Sequence, residues 1–322
     1  MKEQTGIRKT PAALPTYAAG KNSRLAVRLR KSLPYYLIIL LPVLYLIIFK
    51  YAPMYGIQIA FKDYRVSKGF IDSPWVGMKY FESFFNLPSF WTIMFNTLSI
   101  SLYSLLASFP LAVLLAVALN ESRRAWFKKS VQMITYMPYF ISTVVLVSMI
   151  MQFTDLQSGF VCQLIRFFGG KPQNIMGVAD YFKSIYVWSG VWQSTGYSSI
   201  IFLSALAGVS MELREAATID GASKFQRILH IDLPGIAPTI VIQLILNMGY
   251  VMSLGFEKIY LMQNNLNLQV SEVISTYVYK IGLINADYSF ATAIGFFNSV
   301  INLIMLVLCN SLSRRMNQTS LW

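Results

Sequence analysis

Six stretches of this 322-residue chain are apolar over the length that crosses a bilayer: Pro34–Tyr55, Ile93–Leu119, Val131–Phe153, Ile185–Val209, Thr239–Met262 and Phe290–Leu312. A hydrocarbon core of about 30 Å needs about 20 predominantly apolar residues per helical span. Apolar residues make up 55% of the chain and charged ones 13%, and the mean hydropathy is +0.51, so the chain falls in the membrane class. The runs are unbroken rather than alternating, which selects helices over barrel strands. The expected fold is an all-α integral membrane protein with six transmembrane helices, its membrane domain covering residues 34–312.

A basic arm, residues 1–33, precedes the first apolar run. Lys2, Arg8, Lys9, Lys21, Arg24, Arg28, Arg30 and Lys31 stand there against one acid, Glu3. The first run lacks a small-residue cleavage site and continues past Lys50, so it reads as a retained span rather than a signal peptide. From Arg24 to Leu33 basic and apolar residues mix, as in a short interfacial helix on anionic lipid. The adjacent span accounts for the charge, and nucleic acid is not an expected partner.

Charge also orients the chain. The amino arm, the loops at Asn120–Ser130 and Ser210–Pro238 and the tail at 313–322 share one side, with seventeen basic residues against six acidic ones. The other side carries ten basic and eight acidic residues. The positive-inside rule places both termini in the cytoplasm and makes the net charge of +13 a topology signal.

Several chemistries lack their residues. Cys162 falls in an outer loop and Cys309 in the last span, which leaves no intramolecular disulfide, and His230 has no companion metal ligand. His230 reads as a solvated or capping side chain. No phosphate loop of the GxxxxGK[ST] form occurs, so this chain has no ATPase site of that kind. Lys50, Glu257 and Lys258 lie near span ends, where long side chains reach water, and mid-membrane charges of the sort that ion-coupled transporters use are missing. Neither a catalytic cluster nor a cofactor or metal site is visible; the expected chain is a transport subunit and not an enzyme.

The polar stretch between the fourth and fifth runs carries the sharpest motif, ELREAATIDGASKFQRILHIDLPGIAP over Glu212–Pro238. It predicts two short helices, with Glu215, Ala216 and Ala217 in the first, Asp220-Gly221 as the joint, and Ser223 to Ile231 in the second, stopped by Leu233-Pro234. The spacing of EAA, glycine and Ile-x-Leu-Pro resembles the cytoplasmic coupling loop of binding-protein-dependent ABC importer permeases. The resemblance implies that Glu215, Ala216, Ala217, Asp220, Gly221, Leu233 and Pro234 form the ATPase-coupling site in a loop at 210–238.

Further matches extend the resemblance to the carbohydrate importers. They are Trp75–Phe81, Phe90-Trp91 and Asn96–Leu98, with Tyr80 where that family often has Asn. The runs Phe49–Gly56 and Ala60–Tyr64 and the terminal Thr319–Trp322 resemble the LplB-like branch, associated with complex oligosaccharides. The implied partners are a second homologous permease, two ATPase subunits holding ATP and Mg, an extracytoplasmic solute-binding protein and the lipid membrane. An ion-driven transporter or channel, or an ABC permease for a non-sugar solute, stays open as the alternative.

Side chains suited to sugars recur at helical spacing: Trp188 and Trp192 with Gln193 and Tyr197; Gln243, Asn247 and Tyr250; Asn298 and Asn302. Aromatic faces stack on sugar CH groups and amides bond hydroxyls, so these residues are candidates for the substrate path. Interhelical hydrogen bonding and anchoring at the membrane interface is the competing reading of each one.

Overall fold

The computed structural model describes residues 21–317 and 320–321. The arm residues Lys2, Glu3, Arg8 and Lys9 lie outside the described residues, as do Thr319 and Trp322 of the terminal motif. The chain divides into two compact units between Gly56 and Ile57. The first contains helix α1, Lys21–Leu46, which runs through Pro34 and Pro42. A π turn at Ile47–Tyr51 and a 3-10 stretch at Ala52–Phe61 follow it. The expected short helix from Arg24 to Leu33 is therefore not a separate element; its backbone is the start of α1.

The second unit holds α2 (Lys79–Phe85), α3 (Phe90–Glu121), α4 (Ala125–Tyr136), α5 (Thr143–Phe153) and α6 (Phe160–Phe167). After these come α7 (Ala179–Ala207), α8 (Met211–Ile219), α9 (Lys224–Met248) and α10 (Phe256–Met262). The short α11 (Leu268–Ser271) and α12 (Ile274–Tyr279) precede the long α13 (Tyr288–Asn317). Among the described residues the one strand pairing outside helices is an isolated bridge between Lys62 and Trp75.

Four helices have the length and composition to cross a membrane: Lys31–Phe61, α3, α9 and Tyr288–Arg315. Two bent pairs bring the number to six, Ala125–Phe140 with α5 at 99° and α7 with α8 at 73°. The third expected span is thus broken. Pro138 sits in a 3-10 turn, the chain extends at Ile141-Ser142, and the Ser142 hydroxyl accepts from the Val145 N–H as the helix restarts.

The fifth span departs further from expectation. Leu233-Pro234 does not end a helix, because α9 is continuous from Lys224 to Met248. A π turn at Ile228–Asp232 carries it, with the Leu233 N–H bonded to Ile228 O, and Pro234 sits in the first turn beyond, where its missing donor is tolerated. The helix then stops at Met248, well short of Met262, and non-helical backbone fills Gly249–Gly255 before α10.

Packing explains which helices sit together. The longest seam joins α3 to α7, where Ala112 and Ala116 let α3 approach Phe202, Leu206 and the α9 residue Ile236. Nearer the other end of α3, Ile100 meets Phe182 and Val187 of α7 and Ile259 and Met262 of α10. A third cluster joins Phe84, Ile93, Met252, Ile274 and Ile294. The stretch that holds α11 and α12 is pinned to α3, for Asn96 donates to Gln269 O and Glu272 O, and Thr97 Oγ1 accepts from the Ile274 N–H.

Candidate functional site

The loop between α7 and α9 is built by its caps. Ser210 accepts from the Leu213 N–H at the start of α8. At the far end Ala222 N–H reaches Ala217 O at 2.9 Å and Gly221 N–H reaches Thr218 O at 3.2 Å, a Schellman closure. Gly221 holds φ +78 there, the left-handed conformation that favours glycine. Ser223 and Gln226 then form a reciprocal capping box that starts α9. Glu215, Ala216, Asp220 and Gly221 all lie exposed on this helix pair, and Ala217 is half-buried. Leu233 turns inward, against the Ala112–Leu206–Ile236 cluster, while Pro234 stays exposed. His230 is exposed, its Nδ1 3.0 Å from Gln226 O.

Beneath the exposed face lies a set of charges that no motif announced. Asp232, 1% exposed, sits in the π turn and receives Arg214 of α8, with Nε at 2.8 Å and Nη2 at 2.6 Å from Oδ1. The Asn120 amide, turned with its oxygen toward the guanidinium, accepts from Arg214 Nη2 at 2.7 Å. Arg227 donates to Thr218 Oγ1 at 2.8 Å and stands 3.9 Å from Glu121. The seventeen residues between Arg214 and Asp232 carry no periodic signal; the fold brings the two together.

Two cavities open beside α3, one toward α7 and α9 and one toward the end of α9 and the break after it. The larger, about 610 Å³, is lined by Ser108 and Phe109 of α3, Tyr197 of α7, Gln243 and Asn247 of α9 and Tyr139, among others. The smaller, about 230 Å³, is lined by Ser101, Ser104, Asn247, Tyr250 and Ser253 with their neighbours. Four of the sequence-chosen path residues, Tyr197, Gln243, Asn247 and Tyr250, therefore meet at these cavities. Tyr139 stacks on Tyr197 with centroids 3.8 Å apart and 4° between planes. Tyr139 and the α3 serines were not picked out from sequence, although Ser101, Ser104 and Ser108 at i, i+3, i+7 mark one helix face.

The remaining candidates lie elsewhere. Trp188 donates from Nε1 to Tyr103 at 2.9 Å, and Trp192 is half-exposed; neither lines these two cavities. Gln193 donates to Ile141 O at 2.9 Å, across the break in the third span. Asn302 serves the break in the fifth, and Asn298 Oδ1 is buried without a hydrogen-bond partner. Lys258, expected to reach water, is buried against α7 with Nζ 2.9 Å from Tyr186 O, because the helix restarts just before it, at Phe256. Among the described residues no group of three or more His, Cys, Asp or Glu side chains is placed to hold a metal.

Broken membrane helices, a capped amphipathic helix pair at one membrane edge and a polar cavity between the same helices define a polytopic transport protein. Residues 108–318 match the family described as binding-protein-dependent transport system inner membrane component, and the chain belongs to that family. It is similar to Protein LplB of Bacillus subtilis (strain 168), 40% identical over 96% of this chain and 97% of that one. It is also similar to the polygalacturonan/rhamnogalacturonan transport system permease protein YteP of the same organism, 39% identical over 94% of each. A crystal structure of a bacterial ABC transporter involved in the import of the acidic polysaccharide alginate superposes with a TM-score of 0.84 at 35% identity, over 91% of this chain and 99% of that one.

Proposed function

We propose that this chain is one of two homologous permeases of an ATP-driven importer for an oligosaccharide, with uronate-containing oligosaccharides as the first class to test. The observation that carries the reading is the course of α9. It begins in the loop at Lys224 and brings Gln243 and Asn247 to the larger cavity about 30 Å further on, at 1.5 Å per residue. A displacement at the loop therefore reaches the cavity along one continuous helix. The exposed Glu215, Ala216, Asp220 and Gly221 present a low-profile surface to an ATPase groove, with Ala217 at its edge and Leu233 and Pro234 fixing the exit into α9. Two ATPase subunits carry the ATP and Mg, and both termini of this chain lie in the cytoplasm.

Tyr139, Tyr197, Gln243, Asn247 and the α3 serines supply stacking faces and hydroxyl-bonding groups of the kind sugars require. The relatives supply the substrate class: one is a permease for polygalacturonan and rhamnogalacturonan, and an alginate transporter has been solved in complex with an alginate pentasaccharide-bound periplasmic protein. The test is purification of the tagged chain in mild detergent with everything it retains, followed by uptake of oligogalacturonate and alginate oligosaccharides in proteoliposomes. An ATPase and a second permease should be recovered, and uptake should require ATP and fall with Tyr197→Ala or Asn247→Leu. Uptake that follows an ion gradient without an ATPase would refute the reading.

A further inference from the structure

The exposed face of α8 is not the only part of the loop with a task. On its inner side Arg214 joins the buried Asp232 of the α9 π turn and the Asn120 amide at the end of α3. Arg227, one turn into α9, joins Thr218 of α8 and faces Glu121, again at the end of α3. Apart from these ties α8 joins its neighbours through the 73° bend after Ala207 and the glycine turn at Gly221.

Asp232 makes the link tight. It is 1% exposed and gives one oxygen, Oδ1, to two guanidinium nitrogens, while Oδ2 has no hydrogen-bond partner. A carboxylate taken out of water this far depends on its arginine, so the two cannot separate without exposing a buried charge. The attachment point matters as much. Asp232 lies in the π turn just before Pro234, the place where α9 lacks regular i, i+4 bonding and is easiest to bend.

We infer that Arg214 and Asp232 are positioning residues that transmit movement of the coupling helix α8 to α9 at its π turn, and so to the cavity residues Gln243 and Asn247. The inference rests on the importer reading. It concerns residues outside the exposed EAA surface, and it assigns the pair to transmission rather than to docking of the ATPase.

The test uses the assembled importer, with Cys162 and Cys309 replaced by serine and a bimane fluorophore on Asn247→Cys to report the cavity. Wild type should show a fluorescence change on adding ATP, Mg and vanadate. In Arg214→Met with Asp232→Leu, which keeps the packing and removes both charges, the ATPase should be retained and should hydrolyse ATP. The fluorescence change should fall about five-fold or more, the lower end of ordinary coupling strengths. Asp232→Asn should act in the same direction, and the double variant decides if the single one does not assemble. A full fluorescence change in the double variant, or loss of the ATPase from it, would overturn the inference. Absence of any change in wild type would instead overturn the importer reading and take the pair's role with it.

Discussion

Asn302 of the last membrane helix accepts a hydrogen bond from the Met252 N–H at 2.9 Å and donates to Ser253 Oγ at the same distance. This pair of bonds is what lets the fifth span come apart between Gly249 and Gly255. Backbone groups freed from a helix at membrane depth must find partners inside the protein. Asn302 gives the break such a partner, and the buried Met252 side chain locks it against Ile274 and Ile294.

Asn302→Leu should therefore destabilise the protein by about 1–3 kcal/mol, the cost of leaving a buried donor unpaired. Thermal unfolding of the purified protein in detergent reads this directly. A leucine variant that melts with wild type would mean that the Met252 bond contributes nothing.

Gly196 makes a second close contact. A Cβ built on it would lie 2.0 Å from the Thr135 carbonyl oxygen, on backbone that cannot swing away. Gly196→Ala should push α7 from α4 and cost about 1–3 kcal/mol, as overpacking does. Gly295→Ala, inside α13 with nothing within 4 Å of the added carbon, is the control and should melt above wild type, since alanine favours a helix interior by about 0.5–1 kcal/mol over glycine. A Gly196→Ala protein as stable as that control would show that the two helices separate freely.

How much of this was readable beforehand depended on the kind of signal. Long apolar runs located six membrane segments, and the EAA spacing located the loop and the joint at Gly221. The breaks at Ile141 and at Gly249–Gly255 were not readable as breaks, since Val131–Phe153 and Thr239–Met262 remain apolar through them. Pro234 pointed the wrong way: proline normally ends a helix, but the π turn had already displaced the hydrogen bond it would have lost. Gln193 and Asn302 carried the right chemistry for a sugar path and are used as backbone partners, which no side-chain pattern distinguishes. Arg214 and Asp232 are paired only by the fold.

Gly221 permits a sharper prediction about transport. An added Cβ meets nothing within 4 Å, so the whole cost of Gly221→Ala is backbone conformation, about 1–2 kcal/mol at a left-handed position. Uptake should weaken and survive. Gly221→Pro cannot reach φ +78, since proline fixes φ near −65°, and should abolish transport while the chain still inserts in the membrane. A bulky charge at Ala217, such as Ala217→Arg, should do the same. Normal uptake by the proline variant would remove the loop from the mechanism.

The segment between the first span and α3 has its own pH signature. Tyr80 donates to Asp63 at 2.9 Å, and this bond, with Arg65 beside it, holds the Asp63 carboxyl below its ordinary 3.8, against some desolvation. Burial, with the hydrogen bond to Asp63 second, raises Tyr80 above its ordinary 10.0. For Asp63 the folded value lies below the unfolded one, so its stabilisation is complete above 3.8 and disappears as pH falls through the lower folded value. For Tyr80 the folded value lies higher, so its contribution is complete below 10.0 and is lost as pH rises through it. The melting temperature of Tyr80→Phe should lie below that of wild type by a constant amount between about pH 5 and pH 9, where both groups hold their favoured forms. The gap should close as the medium is taken below 3.8, because wild type then loses the charged acceptor that the variant never used. A gap unchanged at low pH would show that Tyr80 stabilises the segment by packing alone, through its contacts with Phe290 and the Phe84 cluster.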